Sequence, residues 1–285
     1  LLLELWKPKD PRLKEFIETP TEIPAPTEAA VETVTVKNAD ELLAAIASNR
    51  EIVMEPGSYI LSESKSYGGE ISEYCVWSER YDGWQLTLSG VENLTIRGSG
   101  MHVTVLETDP RYANVLGLEN CTNVVLEDFT AGHTRDRGEC GGGVIDLTNC
   151  ENITMNRMGI FGCGIIGVQS QSCTGVTLTD SDIYDCSSSA VNLFQSCDVT
   201  VSGNRIYNIG NELYGGYAYF DIQDSTNVLI ENNQLSDSTL NTLLSTVYSS
   251  VELKNNLFQN NRPQNAVFSG SDLCITMSGN RFEKN

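Results

Sequence analysis

The side chains with the most reactive chemistry gather in one segment, Ala131-Gly132-His133-Thr134-Arg135-Asp136-Arg137-Gly138-Glu139-Cys140. An imidazole can serve as general base, a thiolate as nucleophile, and a carboxylate can orient either or carry a proton itself. His133 and Glu139 are therefore candidate catalytic residues, with Cys140, Cys163 and Asp185 as possible partners from neighbouring segments. Arg135 and Arg137 supply guanidinium groups that could hold a ligand. Zinc accepts all of these donor types, yet no Cys-x-x-Cys or His-x-x-x-His pair offers the usual local bite, so a metal ligand set is left unassigned. The competing reading is a packed loop in which His133 bonds a backbone carbonyl.

A second group is spread along the chain but occupies equivalent places. Asp146, Gln169, Asn192 and Asp221 each lie inside a short alternating segment, with Thr148, Gln171, Phe194 and Gln223 two residues further on. Stacked at the ~4.8 Å spacing of neighbouring strands, the first four would form one polar stripe, with Asp146 and Asp221 ~14 Å apart. That is too far for a two-carboxylate glycosidase pair, whose groups stand ~5 to 9.5 Å apart. The stripe is expected to be a binding floor: Asp146 joins the catalytic candidates, while Gln169, Asn192, Asp221 and Phe194 contact the ligand. Two aromatic groups, Tyr67, Tyr74, Trp77, Tyr81 and Trp84, then Tyr207, Tyr214, Tyr217 and Tyr219, offer flat rings with polar tips. Of these, Tyr214 and Tyr217 are assigned to ligand contact. Solvated strand residues and cap packing are the plainer alternatives.

What must position these groups is a repeat. Leu94, Val124, Ile153, Val176, Val199, Val228, Val251 and Ile275 each open an apolar, variable, apolar triplet, at steps of 23 to 30 residues. Seven residues after each stand Met101, Ala131, Ile160, Ile183, Ile206, Leu235, Phe258 and Phe282, all able to point inward. The two-residue alternation is that of a strand with one buried face. Asn-rich and Gly-rich turns follow, and then a second strand. Units that cannot bury their own face without a neighbour describe an all-β solenoid, a parallel β-helix. Residues 38–49 read as a capping amphipathic helix, with Asn38 as N-cap and Glu41 three residues on. Residues 1–33, with a Pro/Thr/Glu-rich spacer, precede a β-helix domain spanning 34–285. Cys121, Cys150 and Cys173 all fall three residues before a strand anchor, which predicts a buried ladder of reduced thiols.

Charge narrows the partners. Eighteen Lys and Arg against 38 Asp and Glu give a net charge of −20, which repels nucleic acid phosphates and anionic membrane surfaces. No apolar run approaches the ~20 residues that cross a bilayer, and a monomer is expected.

The repeats resemble those of bacterial right-handed parallel β-helix proteins of the pectate-lyase-like superfamily over residues 38–285. A narrower likeness, to a bacterial subgroup without an assigned reaction, rests on Glu55-Pro56-Gly57-Ser58-Tyr59, Arg111-Tyr112-Ala113-Asn114-Val115-Leu116, Gly132-His133-Thr134, Cys140-Gly141-Gly142-Gly143-Val144 and Gly162-Cys163-Gly164. The resemblance implies a single-stranded right-handed solenoid, a secreted or cell-surface location, and recognition of a polysaccharide or oligosaccharide with cleavage as a further step. Polygalacturonase-like enzymes carry Asn-x-Asp, Asp-Asp, Gly-His-Gly and Arg-x-Lys motifs in successive coils, and none occurs in the repeats from Leu94 onward. A lyase acting on uronate would use a basic side chain and commonly Ca2+, so Ca2+ is the one cofactor considered. A non-catalytic structural or adhesion solenoid is the second reading.

Overall fold

A computed structural model describes residues 31–134, 141–162, 165–210, 215–271 and 274–285. Arg135, Arg137, Glu139, Cys140, Cys163 and Tyr214 therefore lie outside the described residues.

The strands assemble into three long sheets of ten, nine and nine strands. Each coil visits them in turn. The strand Ile145–Thr148 belongs to what we call the groove sheet, Glu151–Asn156 to the anchor sheet and Gly159–Phe161 to the third sheet, before a loop returns the chain to Ile166–Gln171. Among the described residues, the strand pairings between coils are parallel, and the antiparallel strand pair is the hairpin of Cys75–Arg80 with Gly83–Ser89. The expected register is observed from Leu94 to Ile275, each anchor lying opposite the next.

Two details differ from the sequence reading. The plus-seven landmarks are not the end of a turn but a strand of their own, so each coil has three strands. In the first coil, Leu106 rather than Met101 lies opposite Ala131. A tight turn closed by the Val103 amide on the Gly100 carbonyl occupies the expected place, and the strand starts after it.

Inward side chains from all three sheets fill the interior. Val124, Leu126, Ile153, Ala131, Ile160 and Leu147 are fully buried. The corners are built from polar side chains that satisfy the amides left over where strands end. Between groove and anchor sheets, one residue per coil adopts a left-handed backbone, as at Asn120 (φ 54°) and Asn149 (φ 53°). The next residue is buried: Cys121, Cys150, Cys173, then Ser196, Ser225 and Ser249. The amide of Cys150 donates to Cys173 Sγ (3.3 Å), that of Cys173 to Ser196 Oγ (3.4 Å), and that of Ser196 to Ser225 Oγ (3.1 Å). The thiols are thus the first rungs of a ladder that serine continues, and all three are free. At the next corner Asn204, Asn233, Asn256 and Asn280 form an amide ladder, each Oδ1 accepting from the amide of the rung before.

The cap is shorter than the sequence pattern. Its helix covers Ala39–Ala45, with Asn38 Oδ1 accepting from the Glu41 amide at 2.9 Å. It stops there because Ile46 is extended, and Leu42 and Leu43 plug the first coil. The first strand begins at Glu32, two residues before the expected boundary.

Candidate functional site

The outward residues of the groove sheet form the predicted stripe. Asp146 lies opposite Gln169, Gln169 opposite Asn192, and Asn192 opposite Asp221; Thr148, Gln171, Phe194 and Gln223 align beside them. The first column begins at Thr87, passes through Gly117 and continues beyond Asp221 to Ser245 and Ser269. Three of its members hold an oxygen that is closed off from solvent and met by no protein donor: Asp146 Oδ1, Asn192 Oδ1 and Asp221 Oδ1. Asp221 Oδ2 accepts from Gln223 Nε2 at 3.0 Å. Phe194 is 38% exposed in the second column. Tyr217 rises over the far end, 43% exposed, with its hydroxyl 3.2 Å from Ser245 Oγ.

At the near end the stripe opens into a cavity of about 200 Å3 lined by Arg80, Gln85, Tyr112, Asn114, Gly141, Gly142, Gly143, Ile165, Ile166 and Gln169. Asn114, to which the sequence reading gave no role, organises it. Its amide donates to Gln85 Oε1 (3.0 Å), its Oδ1 accepts from the Gly143 amide (2.6 Å), and its Nδ2 donates to Asp146 Oδ2 (3.1 Å). Gln85 Oε1 also accepts from Arg80 Nε at 3.2 Å. Three coils thus meet at one side chain. The bare backbone of the glycine run allows this approach: a Cβ on Gly142 would stand 2.1 Å from the Ala113 carbonyl oxygen.

Burial holds the Asp146 carboxyl above the ordinary carboxylate range, with the positive charge of Arg80 and the Asn114 hydrogen bond pulling the other way and Glu119 adding to the rise. Glu119 is exposed and faces outward opposite Thr148, one rung back and one column across from Asp146. A strand spacing of ~4.8 Å and a two-residue rise of ~6.6 Å put the two backbone positions roughly 8 Å apart. The sequence comparison, restricted to one column, paired Asp146 with Asp221 and overlooked this nearer carboxylate.

His133 does not stand at the mouth of this groove. It is 1% exposed, and its Nε2 donates to the Ala113 carbonyl oxygen at 3.0 Å. Burial pushes its pKa below the usual imidazole value, while Nδ1 meets no protein partner. It lies beside Gly162, as the register required: a Cβ there would be 2.9 Å from Nδ1. A general base must come within hydrogen-bond reach of its proton donor. A sealed imidazole bonded to the Ala113 carbonyl does not meet that condition, so the place expected for it at the groove mouth is not the one observed.

The aromatic groups divide. Trp77 is buried with Tyr67 edge-on at 5.2 Å, and Tyr74 and Trp84 pack against the core, so these cap the first coils. Tyr81, 89% exposed, meets Tyr112 at the cavity rim at 5.2 Å. Tyr207 stacks on Tyr184 over the third sheet, and Tyr219 is fully buried, which leaves Tyr217 as the described member of its group on the groove. Among the described residues, no three His, Cys, Asp or Glu side chains converge as a metal site.

No family model matches the chain, and no curated protein matches it. Solved structures do. An alginate lyase from Paenibacillus sp. str. FPU-7 superposes with a TM-score of 0.56 at 12% identity, over 89% of this chain and 96% of that one. A pectate lyase from Paenibacillus sp. 0602 gives 0.59 at 10% identity, over 89% and 78%. PfbA, a surface adhesin of Streptococcus pneumoniae, gives 0.50 at 9% identity, over 89% and 80%. At such identities the likeness concerns the fold: the chain is a right-handed parallel β-helix.

Proposed function

We propose that the protein binds a polysaccharide along the groove sheet and hydrolyses it at Asp146, outside the cell or on its surface. The observation that carries this reading is the Asp146 carboxyl itself, desolvated at the edge of a cavity, fixed by Asn114 and left with one oxygen unpaired. A carboxyl raised above its ordinary range by burial is suited to hold a proton and pass it to a leaving oxygen. Glu119, in the open beside it, activates water on the other side of the bond. Inverting glycosidases hold their two carboxyl groups ~6.5 to 9.5 Å apart, and neighbouring rungs and columns of one sheet face allow a spacing of that order. Gln169, Asn192, Asp221, Phe194 and Tyr217 bind successive sugar units, since the coil repeat of ~4.8 Å is close to the length of one sugar. From their place in the sequence alone, Arg135, Arg137 and Tyr214 are kept as proposed ligand contacts and Glu139 as a proposed further acid. Alginate and pectate lyases among the fold neighbours add support by analogy of fold alone.

The adhesin of the same fold favours a second reading, binding without turnover. Reducing-end assays on a panel of polysaccharides, with wild type, Asp146→Asn and Glu119→Gln, separate the two. Turnover lost in both variants with ligand binding retained supports hydrolysis. Binding without turnover in the wild type supports the adhesive reading, and absence of both refutes the groove.

A further inference from the structure

The groove carries an acceptor pattern that bears on the substrate's chemistry. Along the described floor, the solvent-shielded side-chain atoms that meet no protein partner are Asp146 Oδ1, Asn192 Oδ1 and Asp221 Oδ1. Glu119 adds an exposed carboxylate on the same face. The guanidinium that reaches the described cavity, Arg80, is already engaged: Nε donates to Gln85 Oε1, Nη1 donates to the Glu79 carbonyl oxygen, and its charge faces Asp146. Two other described arginines face elsewhere, and Arg135 and Arg137 lie outside the described residues. Arg157 pairs with Glu127 and Asp128 at the corner beyond the anchor sheet, and Arg205 with Asp182 on the third sheet. Beside the cavity, a second hollow of about 530 Å3 brings Glu63, Asp82 and Asp109 around Tyr67 and Trp84. The chain as a whole bears −20.

We infer, building on the polysaccharide reading, that the groove takes a glycan without carboxylates, whose units bring hydrogen-bond donors: hydroxyls, or ammonium groups of amino sugars. The reasoning is electrostatic. Every uronate unit laid along the floor would bring an anion within one or two coils of Glu119 or Asp221. Like charges so placed disfavour binding, and low-dielectric walls strengthen the effect. Hydroxyl or ammonium hydrogens instead find acceptors in the outward carboxylates of Glu119 and Asp221. The inference separates this chain from the alginate and pectate lyases that share its fold.

Titration calorimetry on the full chain tests it, using mixed-linkage sets of neutral, glucosamine and uronate oligosaccharides, each with and without Ca2+. Binding of the neutral or the glucosamine set at least tenfold tighter than the uronate set supports the inference. Loss of the glucosamine signal in high salt, with the neutral signal unchanged, tells which donor is used. Asp221→Asn should weaken binding about tenfold without changing the melting temperature. Asp237→Asn, with the same charge change outside the groove, should not weaken it. Uronate bound as tightly as the other sets, with or without Ca2+, overturns the inference and leaves the polysaccharide reading standing. Binding of none of the sets overturns both.

Discussion

Replacing Asp146 by Asn should stabilise the protein while abolishing its function. In the folded chain one carboxylate oxygen takes the Asn114 hydrogen bond and the other has no donor, and burial raises the pKa above 3.8. An acid whose pKa rises on folding binds its proton more tightly in the folded state. Its contribution to stability is therefore complete below the unfolded value and is lost as pH climbs through the folded one. At neutral pH the ionised group works against the fold. The amide keeps the Asn114 contact but not the charge, burying a charge costs more than burying an amide, and the Arg80 charge recovers part of the difference, so the amide should gain about 1 kcal/mol at pH 7. For a domain of this size the gain corresponds to a rise of roughly 2 to 4 °C in melting temperature. The gain should shrink as pH falls and vanish below about pH 3, where Asp146 is protonated in both states. Thermal unfolding followed by circular dichroism at the two pH values, beside the turnover assay, reads both effects. A general acid contributes ~10²- to 10⁴-fold, so turnover should fall at least a hundredfold. An Asn variant that is less stable at pH 7 and fully active would refute the reasoning, because the charge would then be a structural tie.

His133→Ala should cost about 1 to 3 kcal/mol in chemical denaturation, by leaving the Ala113 carbonyl without its donor. Because burial lowers the His133 pKa, wild-type stability should fall as pH drops below about 6.5 toward the folded value, and that part of the fall should disappear in the variant. Asn256→Ala removes a buried rung that bonds Asn233, Ile230 and Asn280 and should cost about 3 kcal/mol. Asn280→Ala, at a half-buried rung near the end, should cost about 1 kcal/mol, and equal losses at the two sites would contradict the ladder account. Among the described cysteines, peptide mapping after brief alkylation should find Cys274 modified first and Cys121, Cys150 and Cys173 protected, since Cys274 is exposed and the other three are buried. Labelling of the three at the rate of Cys274 would show that this corner opens freely.

The repeat determined the fold because the register of a solenoid is a one-dimensional quantity. Each coil packs on its neighbours, so the spacing of Leu94, Val124 and their successors translates directly into which residues lie opposite one another. That is why the stripe from Asp146 to Asp221 was legible before any coordinates, as were the cap at Asn38 and the thiol ladder. The third strand was not, because segments as short as Gly159–Phe161 carry too little alternation to separate from a turn.

The site was decided by contacts that cross the coil direction. Asn114 joins Gln85, Gly143 and Asp146 through loops of differing length, and no period places those residues together. Glu119 was hidden because it neighbours Asp146 diagonally, across columns that the sequence treats separately. His133 had the right residue type and the right rung. Whether its ring faced solvent or the interior depended on how Gly142 and Ala113 closed over it, and close packing between loops is a property of three dimensions. Sequence thus specified the rung of each residue, where the periodic backbone leaves no choice, and tertiary packing specified which side chains were buried, paired or left with an oxygen to offer.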